Sequence, residues 1–192
     1  MEYADGGDLY SKVRAHEKAH TKMPEQEVWR LFAQICQGLE ALHRMNICHR
    51  DIKCANIFLS KGQIKIGDLN ISKVVKSGLL STQVGTPCYT SPEIWDNRPY
   101  NYKSDMWSLG CVLYELCVQR PPFLANSMRE LAKKIRIGTY QKIPSSYSAE
   151  LSKVISDLLK VNPSMRISSC TWFHYNSSTT LGSSLNNEAA KR

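Results

Sequence analysis

The stretch from Lys103 to Val118 constrains this chain more than any other, because Met106, Trp107, Leu109, Cys111, Val112, Leu113, Leu116 and Cys117 leave almost no polar face. A helix that is apolar nearly all round is stable only when buried on every side. The run therefore predicts a central helical post with other elements wrapped around it, in a mainly α fold.

Residue periods mark what does the wrapping. From Pro24 to Met45, the residues Val28, Leu31, Phe32, Ile35, Leu39 and Leu42 recur at three- and four-residue steps, with Pro24 suited to a first helical turn. Ser127 to Ile137, stopped by Gly138, and Ser148 to Val161, stopped near Pro163, read as two more helices. The second opens on a serine that can cap it. The runs Ile57-Phe58-Leu59 and Ile64-Lys65-Ile66, separated by Ser60-Lys61-Gly62-Gln63, read as a β-hairpin. After Arg166 the composition turns to Ser, Thr and Asn with few aliphatic residues, which cannot bury enough apolar surface to order themselves. Residues 1–167 are expected to form one domain and residues 168–192 a disordered tail.

Charge and composition narrow the partners. A net charge of +8 suits acidic ligands, yet charge speaks to association rather than to fold. Tyr3, Trp29, Trp107 and Trp172 lack the basic interleaving of a base-stacking surface, so they read as core or tail side chains and no nucleic-acid partner is expected. No apolar run approaches the roughly 20 residues of a membrane span. The start, Met1-Glu2-Tyr3-Ala4-Asp5, is acidic where a signal peptide is basic. No membrane partner is expected, and the location expected is the cytosol, the cytoskeleton or the nucleus.

Cys36, Cys48, Cys54, Cys88, Cys111, Cys117 and Cys170 form no C-x-x-C pair and read as reduced, mostly buried, small apolar side chains. His16-Glu17-Lys18-Ala19-His20 matches the zinc-protease pattern H-E-x-x-H. It lies in a charged stretch with no apolar face and no evident third ligand, so it reads as a solvated loop or helix end.

The chemistry concentrates in His49-Arg50-Asp51-Ile52-Lys53-Cys54-Ala55-Asn56, which joins the amphipathic helix to the hairpin. A carboxylate and a carboxamide five residues apart on a loop can serve opposite ends of one transfer. Asp51 can accept the proton of a hydroxyl, Asn56 can offer its carbonyl oxygen to magnesium, and Lys53 adds positive charge for a moving phosphoryl group. The bland alternative is a turn in which Asp51 and Asn56 merely cap backbone groups.

This run resembles the H-R-D-x-x-x-x-N catalytic loop of protein kinases. Four more elements follow in that family's order. Gly67-Asp68-Leu69-Asn70 stands in the place of D-F-G, and Gly85-Thr86-Pro87-Cys88-Tyr89-Thr90-Ser91-Pro92-Glu93 resembles the end of an activation segment. Asp105-Met106-Trp107-Ser108-Leu109-Gly110 resembles the start of the buried central helix, and Arg166 stands where a late arginine pairs with Glu93. Lys53 and Thr86 resemble the serine/threonine branch. Met1-Glu2-Tyr3 with Gly6-Gly7-Asp8-Leu9, Ile71-Ser72-Lys73-Val74 and Gly85-Thr86-Pro87 look most like the NIMA-related (Nek) kinases.

The resemblance implies a kinase C-terminal lobe, helical with a short hairpin at the cleft, that uses ATP and Mg2+ on the Ser and Thr of protein substrates. It implies Asp51 as base, Lys53 on the phosphates, and Asn56 and Asp68 as magnesium ligands. Met1, Glu2 and Tyr3 would form the adenine-binding hinge, Asp8 would face the ribose, and Leu59 would floor the adenine pocket. His49 would brace the loop, with Asp105, Glu93 and Arg166 also structural, while Arg50 would meet a regulatory phosphate on Thr82. Leu69 and Asn70 depart from the family's Phe and Gly, although Asn tolerates positive φ. The sequence has no Gly-rich loop and no V-A-I-K lysine, because it begins at the hinge. The N-terminal lobe is therefore expected to be absent and the chain inactive alone, with a non-catalytic interaction module as the alternative.

Overall fold

In the computed structural model, which describes residues 5–68 and 87–168, α1 (Leu9–Lys18) and α2 (Glu25–Arg44) precede a hairpin of β1 (Ile57–Ser60) and β2 (Gln63–Ile66). A short α3 (Pro92–Trp95), then α4 (Tyr102–Val118), α5 (Met128–Ile137) and α6 (Ala149–Leu158) follow. The fold is mainly helical with one small sheet, as the residue periods predict.

The post is α4, in which every residue from Ser104 to Cys117 is buried. It packs against α2 and α6. Gly110 sets the closeness of the second contact: a Cβ there would meet Leu158 Cβ at 2.8 Å and Leu159 Cδ2 at 2.9 Å. Trp107 stacks on Phe123 with ring centroids 5.4 Å apart, which ties the chain after α4 back to its core.

The stripe of Val28, Leu31, Phe32, Ile35 and Leu39 is buried on α2, which begins at Glu25 rather than at Pro24. Pro24 has φ −57 and ψ 137 and stands just outside the helix. The hairpin lies on this helix: Gln34 Oε1 accepts the Ile64 amide at 2.8 Å, and a Cβ on Gly38 would strike Ile66 Cδ1 at 2.7 Å. Its strands run one residue further toward the turn than the apolar runs suggest, because Ser60 pairs with Gln63. Lys61 and Gly62 alone make the turn, both at positive φ (48 and 77), as a two-residue hairpin requires.

One helix was not read from the residue periods, and one expectation is corrected. Periodicity does not mark α1, since only Leu9 and Val13 of it are buried. Asp8 starts this helix by accepting the Ser11 amide on Oδ1 at 2.6 Å. His16 lies in its last turn and bonds Thr21 Oγ1 at 3.0 Å, whereas His20, at φ 53, lies past its end. The correction concerns α6, which stops at Leu158 and not near Val161. The chain beyond turns to give the carbonyls of Lys160 and Val161 to the Arg166 guanidinium, at 2.6 Å and 3.0 Å. The expected cap at Ser148 and stop at Gly138, φ 73, are present, and Ser127 also caps the start of α5.

Cys36, Cys54, Cys88, Cys111 and Cys117 are buried, Cys48 is half-buried, and all six are free. Tyr3, Cys170, Trp172 and the tail beyond Ser168 lie outside the described residues. No helix among the described residues is long and apolar enough to cross a membrane.

Candidate active site

Asp105, at the start of α4 and wholly buried, organises the loop from His49 to Asn56. Its Oδ2 accepts the His49 amide and its Oδ1 the Arg50 amide, both at 3.0 Å. The His43 ring at 2.9 Å and the Tyr100 hydroxyl at 2.6 Å complete its shell. Burial alone would push this carboxyl up, but hydrogen bonds from His43, Tyr100 and the two amides outweigh it and hold the group below the usual carboxylate range. Arg50 adopts φ 72, a costly conformation for a side chain of its size. The amide bond to Asp105 and the packing of its guanidinium over the Tyr100 ring, 5.7 Å from the centroid, hold it there.

His49, 1% exposed, joins this loop to the segment after the hairpin. The Asp51 amide donates to its Nδ1 at 3.3 Å, so Nε2 carries the hydrogen and donates to the Gly67 carbonyl at 2.8 Å. The Gly67 amide donates to the Asn56 carbonyl at 2.9 Å. A Cβ on Gly67 would lie 2.6 Å from Phe58 Cε2, so the segment sits this close because the residue is glycine. These contacts set Asp68, exposed and at φ 59, directly after the residue that is bonded to the loop from His49 to Asn56.

Asp51 Oδ2 accepts both the Lys53 ammonium at 2.9 Å and the Asn56 Nδ2 at 3.0 Å. Asn56 Nδ2 also donates to the Asp51 carbonyl at 2.9 Å. With its nitrogen held by Asp51, the Asn56 side chain has its carbonyl oxygen left for a cation. That oxygen and the Asp68 carboxylate are hard donors of the kind magnesium takes, so the residues present fit the ion. Asp51, Lys53 and Asn56 are thus brought together, with His49, Arg50 and Asp105 supporting their loop, and Asp68 follows the Gly67 backbone that is bonded to that loop.

On the other side of β1, the Gly6 amide donates to the Leu59 carbonyl at 2.9 Å and the Leu59 amide to the Gly7 carbonyl at 2.8 Å. Asp8 pairs with Phe58, which fixes the start of α1 against the strand. Leu59 is half-buried against the core. Met1, Glu2, Tyr3, Leu69, Asn70, Thr82 and Thr86 lie outside the described residues.

Glu93 and Arg166 are paired in the core, as the resemblance implies. One cluster went unread in the sequence. Glu115, 2% exposed on α4, accepts hydrogen bonds from the Tyr89 hydroxyl and, at 3.3 Å, from the Cys54 thiol, with Arg14 Nη2 at 3.9 Å. Burial and then the Glu115 charge push the Cys54 thiol well up, so it stays protonated and donates. The signal was available: a lone Glu in a helix that is otherwise buried all round must find partners.

The chain belongs to the protein kinase family: the model of the protein kinase domain matches residues 1–176. Within it, the chain is similar to NIMA-related serine/threonine kinases. It is 44% identical to mouse serine/threonine-protein kinase Nek3 over 174 residues, which cover 89% of this chain and 34% of that protein. Human serine/threonine-protein kinase Nek2 is 43% identical over 169 residues (84% of this chain, 38% of the relative). The probable serine/threonine-protein kinase nek2 of Dictyostelium discoideum is 42% identical over 171 residues, covering 86% of this chain and 41% of the relative. The chain thus spans well under half the length of these curated relatives.

Proposed function

We propose that these residues form the substrate-binding lobe of a serine/threonine kinase that moves the γ-phosphoryl group of ATP to a Ser or Thr hydroxyl of a protein. The observation that supports this most is the shared hold on Asp51 Oδ2, which Lys53 approaches to 2.9 Å and Asn56 to 3.0 Å. That arrangement holds a carboxylate with a cation beside it and leaves the Asn56 amide oxygen free of the bonds to Asp51, which supports the reading of Asp51 as proton acceptor.

In the reaction, Asp51 takes the proton of the substrate hydroxyl as its oxygen bonds to the γ-phosphorus and the bond to the ADP oxygen breaks. Lys53 balances negative charge where it builds up. A magnesium ion held by Asn56 and Asp68 would neutralise the phosphates. Asp8, with one carboxylate oxygen on the Ser11 amide, offers the other to the ribose, Leu59 lies under the adenine, and Met1 to Tyr3 line its edge. Arg50 receives a phosphate on Thr82. Within these 192 residues there is no Gly-rich loop and no V-A-I-K lysine, so alone they make one wall of a cleft. One wall does not exclude water or fix the phosphates, and the chain by itself should transfer slowly.

The test joins a Nek small lobe ahead of these residues and measures ATP-dependent phosphorylation of a Ser/Thr protein substrate. Asp51→Ala should lower the rate about 10²–10⁴-fold, and Asp68→Ala comparably. Activity of either variant within about threefold of the parent would remove its assigned role. Tight binding of kinase substrates with no turnover in the parent would instead make the lobe an interaction module.

A further inference from the structure

Between the end of α4 and the end of α5 the surface opens into a cleft of about 630 Å³ that plays no part in the site described above. Its floor is aromatic and rigid: Tyr114 and Tyr140 meet edge-on at 5.6 Å, and Tyr140 meets Phe123 at 5.8 Å. Pro121 and Pro122 form one wall with fixed backbone. Leu124, 50% exposed, and Ile137, 59% exposed, present apolar surface at its edges.

The charges at this cleft are of one sign. Arg120 and Lys134 line it, and no carboxylate does. Arg120 donates to Gln141 Oε1 at 2.7 Å and Lys134 to the Leu124 carbonyl at 2.7 Å, so each is anchored by a neutral group. Among the described residues neither has an ion-pair partner. Of the carboxylates on neighbouring elements, Asp157 pairs with Lys153 at 2.6 Å and Asp96 with Arg136 at 2.7 Å, while the exposed Glu130, one turn before Lys134 on α5, lies outside the lining. The exposed Lys133 adds a further positive charge on α5.

We propose that this cleft docks a short acidic segment of a partner protein, with one large apolar side chain seated between Leu124 and Ile137 and carboxylates on Arg120 and Lys134. The apolar floor supplies burial and the cations supply charge complementarity and orientation. The cleft is shallow and open, with Tyr114 and Tyr140 in its lining between two cationic side chains, an arrangement that suits an extended acidic peptide lying across it. Binding here needs no phosphotransfer, so its outcome is separate from that of the kinase reading.

The test is fluorescence polarisation on the full 192-residue chain. The probes are short fluorescein-labelled peptides with a central Leu or Phe between pairs of Glu. The acidic peptides should bind, and their Glu→Lys counterparts should bind at least about tenfold more weakly. The double variant Arg120→Glu with Lys134→Glu, at exposed positions, should weaken the acidic peptides about tenfold or more while melting like the parent. Ile137→Ser should weaken the Leu and Phe peptides and leave an Ala-centred peptide unchanged. Equal binding of acidic and basic peptides, or no loss in the double variant, would overturn the proposal. So would a preference for phosphopeptides, RNA, anionic vesicles or a second copy of the chain through the same residues.

Discussion

Glu93 and Arg166, 73 residues apart in the chain, face each other in the core through two parallel hydrogen bonds of 2.7 Å. They are 5% and 2% exposed. Ser104 adds a hydrogen bond to Glu93 at 2.7 Å, and Arg166 lies over the Trp107 ring at 4.9 Å. Arg166 also donates to the carbonyls of Lys103, Lys160 and Val161. One guanidinium therefore joins the start of α3, the start of α4 and the turn after α6.

Removing that guanidinium leaves a buried carboxylate and three carbonyls without their donor. Breaking one side of such a pair costs about 3–5 kcal/mol. For a chain of this size that is a fall in Tm of roughly 6–20 °C. Arg166→Met should show this loss in thermal melts of the 192-residue chain followed by circular dichroism. The pH dependence follows from Glu93. Burial raises its pKa, but Arg166 and Ser104 outweigh that and hold it below 4.5. Its contribution is therefore present above its unfolded value and is lost as pH falls through the folded one. An Arg166→Met melt equal to the parent's would leave the pair without a role in stability.

Asp105 carries the second expectation. Asp105→Ala removes the acceptor from the His49 and Arg50 amides, and Arg50 must then keep φ 72 with less to hold it. Each buried donor left unpaired costs about 1–3 kcal/mol. The chain should lose several kcal/mol in urea unfolding, and the His49 and Arg50 amides should exchange much faster with solvent than those of α5. Unchanged protection at these two amides would show that the loop holds its shape without Asp105.

Most of the scaffold was legible because burial imposes a period. The apolar stripe of α2 and the unbroken apolar run of α4 left few alternatives. Helix α1 escaped because two buried residues, Leu9 and Val13, are too few to mark a period, and its start rests on one side-chain bond from Asp8. The end of α6 escaped because Arg166 decides it from outside the helix. At the site, Asp51, Lys53 and Asn56 lie within six residues and announce themselves. Glu115, Tyr89 and Cys54 come together only in the fold, 26 and 61 residues apart for the two bonds. The Glu93–Arg166 pair was reached only through resemblance, since nothing local in the sequence links its members.

A third expectation concerns the switch that we propose at Thr82. Arg50 Nε is buried and has no hydrogen-bond partner among the described residues, so the guanidinium keeps donor capacity next to the loop that carries Asp51. A phosphate on Thr82 would bring about −1.5 to −2 charge and make one to three charge-assisted hydrogen bonds. In the kinase completed with a small lobe, Thr82→Ala should lower activity markedly, and Arg50→Ala should blunt the gain on phosphorylation. Ser81 is the neighbouring alternative. Full activity of Thr82→Ala, with phosphorylation elsewhere matched, would move the switch away from Thr82.

The last expectation is a pH effect of opposite sign to that of Glu93. Burial pushes the Glu115 carboxyl up from its ordinary value of 4.5, and the hydrogen bonds from Tyr89 and Cys54 and the charge of Arg14 only partly offset it. The folded state therefore holds this proton more tightly than the unfolded state. Its contribution is complete below about pH 4.5 and declines as pH rises through the raised folded pKa. Glu115→Gln keeps an acceptor for Tyr89 and Cys54 and carries no charge to desolvate. Relative to the parent, it should gain stability steadily as pH rises above about 4.5, by about 1.4 kcal/mol per pH unit at most until the folded group ionises. Urea unfolding of both proteins at matched pH values gives this difference directly. A difference that is flat with pH would mean that Glu115 binds its proton equally in the two states.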